Sequence, residues 1–200
     1  MPLPEAVTQA IAQAREALDR NPRSDLNRGY RHVIWAALGP RDEQGRHRRA
    51  RLAIISAQRV LPIWERTWPK DRKPHEVLAL AEHVLRGRAD QTAAKRQRDE
   101  AFAYMDALSD RSRNKIPVSA GYSAVQALST ALWDEFFDPA DINVELTDDH
   151  VDPEERDAAY FAALVSANGP PWDDHSDPNR RREFWEWWLR EAVSAAWEQP

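Results

Sequence analysis

The spacing of the apolar residues constrains this chain most. In segment after segment they recur every three to four positions, and almost nowhere do they alternate with polar ones. Such a pattern builds helices and leaves little from which to build a sheet. Val7, Ile11, Ala14 and Leu18 mark one face of a first helix over residues 4–19, which Pro22 cannot continue. Leu26, Tyr30, Val33, Ile34, Ala37 and Leu38 do the same over 25–38. A third helix starts near residue 48 and carries Leu52, Ile55, Val60, Ile63 and Trp64; Pro62 within it predicts a kink or a break. Pro74 opens a fourth helix over 75–86 and Gly87 closes it, with Val77, Leu78, Ala81, Val84 and Leu85 inward. A fifth, over 89–108, stays polar until Ala101, Phe102, Met105 and Leu108. A sixth, over 119–136, turns Val125, Leu128, Leu132, Trp133 and Phe136 inward. The expectation is an all-α fold of about eight or nine packed helices in a single domain over residues 1–200, with a long connection at 109–119 where two subdomains could divide.

Several function classes drop out. The chain has no cysteine, which excludes disulfides, thiolate catalysis and zinc–thiolate sites. It has no phosphate-cradling glycine loop and no G-x-S-x-G elbow. No run approaches the ~20 apolar residues of a membrane span, and the first residues do not follow the pattern of a secretory signal. A cytoplasmic protein without a cofactor is the simplest expectation.

The formal net charge of −5 is unevenly spread. Residues 1–133 hold 23 basic and 15 acidic side chains, and residues 158–200 hold 4 and 7. Between them, residues 134–157 hold 11 acidic residues and only Arg156. Such a block can steer a basic partner towards the protein, or it can be a solvated loop.

Within that block "DDHVDP" (148–153) returns as "DDHSDP" (173–178), five of six positions alike. Asp148, Asp149, His150, Asp173, Asp174 and His175 are oxygen and imidazole donors suited to zinc, manganese or iron. The competing reading is helix initiation, with Asp152 and Asp177 as N-caps before a first-turn proline and Glu155 completing a capping box in the first copy. His32, His75 and His83 lie on expected helices without a sequence partner. "RHRRAR" (46–51) can touch phosphate, but it opens a helix in an acidic chain, and direct nucleic-acid binding is not expected.

The last helix carries "EFWEWWLREAVSAAW" (183–197). At about 100° per residue, Phe184, Trp185, Trp188, Leu189, Ala192, Ala195 and Ala196 share one apolar stripe. Trp187 falls among Glu183, Glu191 and Ser194 instead. There it is either covered by another part of the chain or exposed as an anchor for a partner.

One stretch carries a resemblance. "AQRVLPIWERTWPKDRKPHEVLALAEHVLRG" (57–87) resembles the helical bacterial immunity proteins of polymorphic toxin systems, immunity family five and its relatives. The pattern is a helix ending in Val60, Leu61, Pro62, Ile63, Trp64 and Glu65, a turn with Trp68, Pro69 and Asp71, and Lys73-Pro74 opening the next helix. It has no chemistry of its own and reads as a helix–turn–helix corner filled by Trp64 and Trp68. The resemblance implies an all-helical protein, without catalytic residues, that binds and neutralises a toxin encoded beside it. Many such toxins are nucleases with basic substrate-binding faces, which the acidic block would suit. On this reading Asp148, Asp149, Asp152, Glu154 and Trp187 are the candidates for partner contact. The alternatives are a metal-dependent hydrolase built on the two Asp-Asp-His loops and a helical scaffold with an unrelated partner.

Overall fold

A computed structural model describes residues 2–133, 137–140 and 142–198, apart from the side chains of residues 150 and 153. Asp134, Glu135, Phe136, Asp141 and the His150 side chain, all part of the expectations above, lie outside it. The described residues form α1 (Glu5–Arg20), α2 (Arg28–Ala37), α3 (Glu43–Thr67), α4 (Lys73–Leu85), α5 (Gln91–Arg111), α6 (Ile116–Ala131), α7 (Ala158–Ser166), α8 (Pro178–Trp187) and α9 (Val193–Glu198). A π turn, Trp188–Ala192, joins α8 to α9. Among the described residues there is no strand, and the fold is all-α as the apolar spacing requires.

The organising element is α6. Every residue from Pro117 to Ala131 except Tyr122 is buried, because α3, α4, α5 and α7 pack around it. A helix enclosed on all sides has to be narrow and apolar. Alanine, serine and Gly121 make it narrow, and the serines and Thr130 satisfy their hydroxyls on backbone carbonyls, such as Thr130 on Gln126 at 3.1 Å. A Cβ on Gly121 would stand 2.3 Å from Met105 Sδ and 3.0 Å from the Trp64 ring, so α5 and α3 close on α6 at that point. Val118, Val125 and Leu128 are fully enclosed, each contributing about 1.5–3 kcal/mol by burial.

The structure moves several expected boundaries. α3 begins at Glu43 rather than near residue 48, since Asp42 caps it by accepting the Gly45 N–H at 2.8 Å. Pro62 neither ends nor interrupts it, and α3 runs on to Thr67. The carbonyl that Pro62 leaves without a helical donor belongs to Gln58, which faces solvent. The connection between α5 and α6 shrinks to residues 112–115. Asp177 caps α8 as expected, accepting the N–H groups of Asn179 and Arg180 at 2.9 and 3.2 Å. Asp152 does not cap an α-helix. A short 3-10 turn, Pro153–Glu155, follows it, and Asp157 caps α7 through the Tyr160 N–H at 2.9 Å.

The corner at residues 64–74 takes the form expected. Trp64 and Trp68 pack with ring centroids 4.6 Å apart, and the Trp64 indole N–H donates to the Asp71 carbonyl at 2.9 Å. The Asp71 carboxylate then accepts the Lys73 N–H and the Tyr104 hydroxyl, which ties the turn to α5.

Candidate functional site

Residues 142–157 of the acidic block form a strap laid across the helices. Its path is set at α2, where Gly29 donates its N–H to the Leu146 carbonyl at 2.9 Å. A Cβ on Gly29 would sit 2.1 Å from the Asn143 carbonyl oxygen, so only glycine lets the strap lie this close.

Beneath the strap, Arg31 is completely buried. Its guanidinium forks onto both oxygens of Asp148, Nη1 at 3.0 Å and Nη2 at 2.7 Å. It also donates through Nε to Asp157 at 2.9 Å and through Nη1 to the Leu26 carbonyl at 2.7 Å. Burial alone would raise the pKa of Asp157, but Arg31, Arg28 and the Tyr160 N–H outweigh it and hold the carboxyl below its ordinary value. Further along, Arg28 donates to the Glu155 carbonyl at 2.7 Å, and Gln126 Nε2 to the Glu154 carbonyl at 2.6 Å. Arg28 also donates to His32 Nε2 at 3.2 Å, and burial, then Arg28 and Arg31, lower the His32 pKa to about 4. That imidazole is therefore neutral at physiological pH.

This arrangement sorts the acidic residues into two sets. Asp148 and Asp157 face inward and are engaged by Arg31. Asp138, Glu145, Asp149, Asp152 and Glu154 face solvent. Of the sequence-derived contact candidates, Asp149, Asp152 and Glu154 therefore lie on the surface. Asp148 does not, because the cost of burying Arg31 demands a carboxylate beside it.

Two grooves flank the strap. One, of about 500 Å³, lies between it, the α1–α2 turn and the 171–172 loop; Arg23, Asp25, Asp149 and Trp172 are among its walls. Trp172 is 44% exposed, with the Arg156 guanidinium 5.4 Å from its ring. Asp25 accepts from the Trp185 indole at 2.9 Å; burial, reinforced by Asp148, raises its pKa. The other groove, of about 450 Å³, runs between the strap and α5, with Asp106, Phe102, Gln126, Asp152 and Glu154 in its walls.

The two Asp-Asp-His loops are not alike in space. Asp148 is locked on Arg31, whereas Asp173 closes a local turn on the His175 N–H at 2.8 Å, with the imidazole in solvent. Among the described residues no three His, Asp or Glu side chains converge to hold a metal ion. The arginines of residues 46–51 turn inward too. Arg46 donates to the Ala131 carbonyl at 2.6 Å, Arg49 to the Gly39 carbonyl at 3.0 Å, and Arg48 covers the Trp197 ring at 3.5 Å. Trp187 is half-buried, with Phe184 on one side and the Arg59 guanidinium 4.8 Å from its ring.

The model of the family described as immunity protein Imm5 matches residues 11–195. The chain belongs to the Imm5 family. None of the curated proteins matches it. The Imm5 match begins within α1 and ends within α9, so the strap, both grooves and the Trp64–Trp68 corner all lie inside it. Residues 57–87, which carry the resemblance in the sequence, are one sixth of a likeness that spans nearly the whole chain. Imm5 membership points to toxin immunity and to a toxin as the partner. Among the described residues no helix is long and apolar enough to cross a membrane.

Proposed function

We propose that this chain neutralises a cognate toxin, encoded next to it in a bacterial polymorphic toxin system, by binding it in the cytoplasm without chemistry of its own. The observation that carries this reading is the Imm5 match over residues 11–195. The strap adds a surface suited to the task. Its outward carboxylates, Asp149, Asp152 and Glu154 among them, rest on a backbone pinned at Gly29, Arg31, Gln126 and Arg28. A pre-ordered charged surface lowers the entropy lost on binding and speeds encounter with a partner of opposite sign. A toxin with a basic substrate-binding face, such as a nuclease domain, is the partner it fits. Trp187, half-buried beside Phe184 and Arg59, offers a second contact.

Co-expression with the neighbouring open reading frame tests the reading. Cells carrying that frame alone stop growing, and cells carrying both grow. A neighbour that is harmless alone, or equally toxic in the presence of this chain, would end it.

A further inference from the structure

The chain is acidic overall, yet the charges that line one pocket are all positive. The pocket, of about 300 Å³, lies where the ends of α3 and α7 meet the starts of α6 and α8. Arg59, Arg66 and Arg180 stand in its walls, and among the described residues no aspartate or glutamate does. The fold makes little use of these arginines. Arg66 has no hydrogen bond, ion pair or ring contact among the described residues. Arg180 reaches Asp177 at 3.5 Å, but both side chains are well exposed, and such a pair is weak. Arg59 lies over the Trp187 ring at 4.8 Å, a contact that orients a guanidinium without neutralising it. Asn114 accepts the Ile116 N–H through Oδ1 at 3.0 Å, which leaves its Nδ2 as a donor at the rim. Beneath this rim the floor is apolar: Val60, Pro117 and Val165 are buried, and Ile63 and Ile116 half-buried. An apolar floor under a few polar groups of one sign is the form of a small-molecule site. The rim specifies an anion, and the floor specifies that the anion carries an apolar body. A carboxylate brings one charge and two oxygens to three guanidiniums. A phosphate monoester brings about 1.5 to 2 negative charges and three terminal oxygens, so that each guanidinium can take one.

We infer that this pocket binds a phosphate monoester with an apolar body, the phosphoryl oxygens on Arg59, Arg66 and Arg180 and the body on Ile63, Ile116 and Val165. The site stands apart from the strap. Pro117 in its floor is near the start of α6, whereas Gln126, which holds the strap, lies about 14 Å further along the same helix. The inference therefore does not rest on the toxin-binding reading and goes beyond it. A ligand that bridges α3, α6, α7 and α8 also stabilises the fold.

The test titrates the intact chain with phenyl phosphate at physiological salt and follows the arginine Nε–H resonances and the Ile63 and Ile116 methyl resonances. Phenyl phosphate shifts them to saturation and raises the melting temperature. Inorganic phosphate, which lacks the body, binds at least about tenfold more weakly, and so does benzoate, which lacks the third oxygen and the second charge. Arg66→Gln with Arg180→Gln keeps the melting temperature of the free chain and abolishes the saturable shifts. Arg88→Gln with Lys95→Gln, an equal change of charge at exposed positions before and on α5, leaves them in place. Shifts that never saturate, that are the same with sulfate, or that persist in the Arg66, Arg180 double variant overturn the inference and leave a solvated basic patch. Benzoate as tight as phenyl phosphate overturns the assignment of a phosphate ester. Phosphotyrosine in a glycine-flanked peptide separates the two sources of such a group: affinity equal to that of phenyl phosphate assigns a modified side chain of a partner, and much weaker affinity assigns a free ester, each a form of the site inferred.

Discussion

Trp187 and Trp188 are adjacent in sequence and differ in what surrounds them. Trp188 is fully buried, with its indole N–H on Ser56 Oγ at 3.0 Å, whereas Trp187 is half-buried beneath Arg59. Trp188→Ala is expected to cost about 3–5 kcal/mol of stability, and Trp187→Ala about 1 kcal/mol, measured by urea denaturation. Equal losses would make Trp187 part of the core. His32 supplies a second test. Its folded pKa of about 4 lies below the ordinary value of 6.5, so the unfolded chain takes up the proton first. Its contribution is complete above pH 6.5 and is lost as pH falls towards 4, a change of about 3 kcal/mol. The depressed Asp157 acts in the same direction, but only below the usual carboxylate range. His32→Gln, which keeps an acceptor for Arg28, flattens the stability–pH curve between 6.5 and 4. An unchanged curve would exclude His32 as its source. The apolar wheel correctly placed Phe184, Trp185 and Trp188 in the core. Val193, which directly follows the π turn, is fully buried as well.

At the scale of elements, Arg31 makes the most contacts to the strap's buried carboxylates. Arg31→Met leaves Asp148 buried without its paired guanidinium and Asp157 with Arg28 alone, a loss of about 3–5 kcal/mol, and raises amide hydrogen exchange across residues 142–157 before other segments respond. Adding Asp148→Asn and Asp157→Asn restores part of the stability, since the uncompensated charges leave with the arginine. If exchange in the strap is no faster in Arg31→Met, the latch is elsewhere. Gly29→Ala forces a methyl group against Asn143 and should loosen the same segment, at about 1–3 kcal/mol. Helix identity was legible from spacing, and the Trp64–Trp68 corner from its aromatic–proline pattern. The strap was legible only as charge. Its inner half was hidden because the partners of Asp148 and Asp157 lie more than a hundred residues away, on α2. The available signal was Arg28, Arg31 and His32 at helical spacing beside Ile34 and Trp35, polar residues on a face that must be buried. The same long-range pairing helps explain why residues 46–51 read as a basic surface run: the Ala131 carbonyl that takes Arg46 and the Trp197 and Phe137 rings beside Arg48 and Arg49 come from distant parts of the chain.

At the scale of the molecule, one core runs from Val7 on α1 to Ala196 on α9, and the Imm5 match has nearly the same span. The fold thus acts as a rigid frame whose buried arginines hold an acidic strap with its outer carboxylates in solvent. We propose that this surface captures the toxin. It is tested most directly by the association rate with the toxin encoded beside this gene, followed across ionic strength for the wild type and for Asp149→Lys, Asp152→Lys, Glu154→Lys combined. The wild-type rate falls steeply with salt, while the triple variant associates at least about tenfold more slowly at low salt and shows little salt dependence. A triple variant with the wild-type rate and salt dependence would exclude this surface from toxin capture.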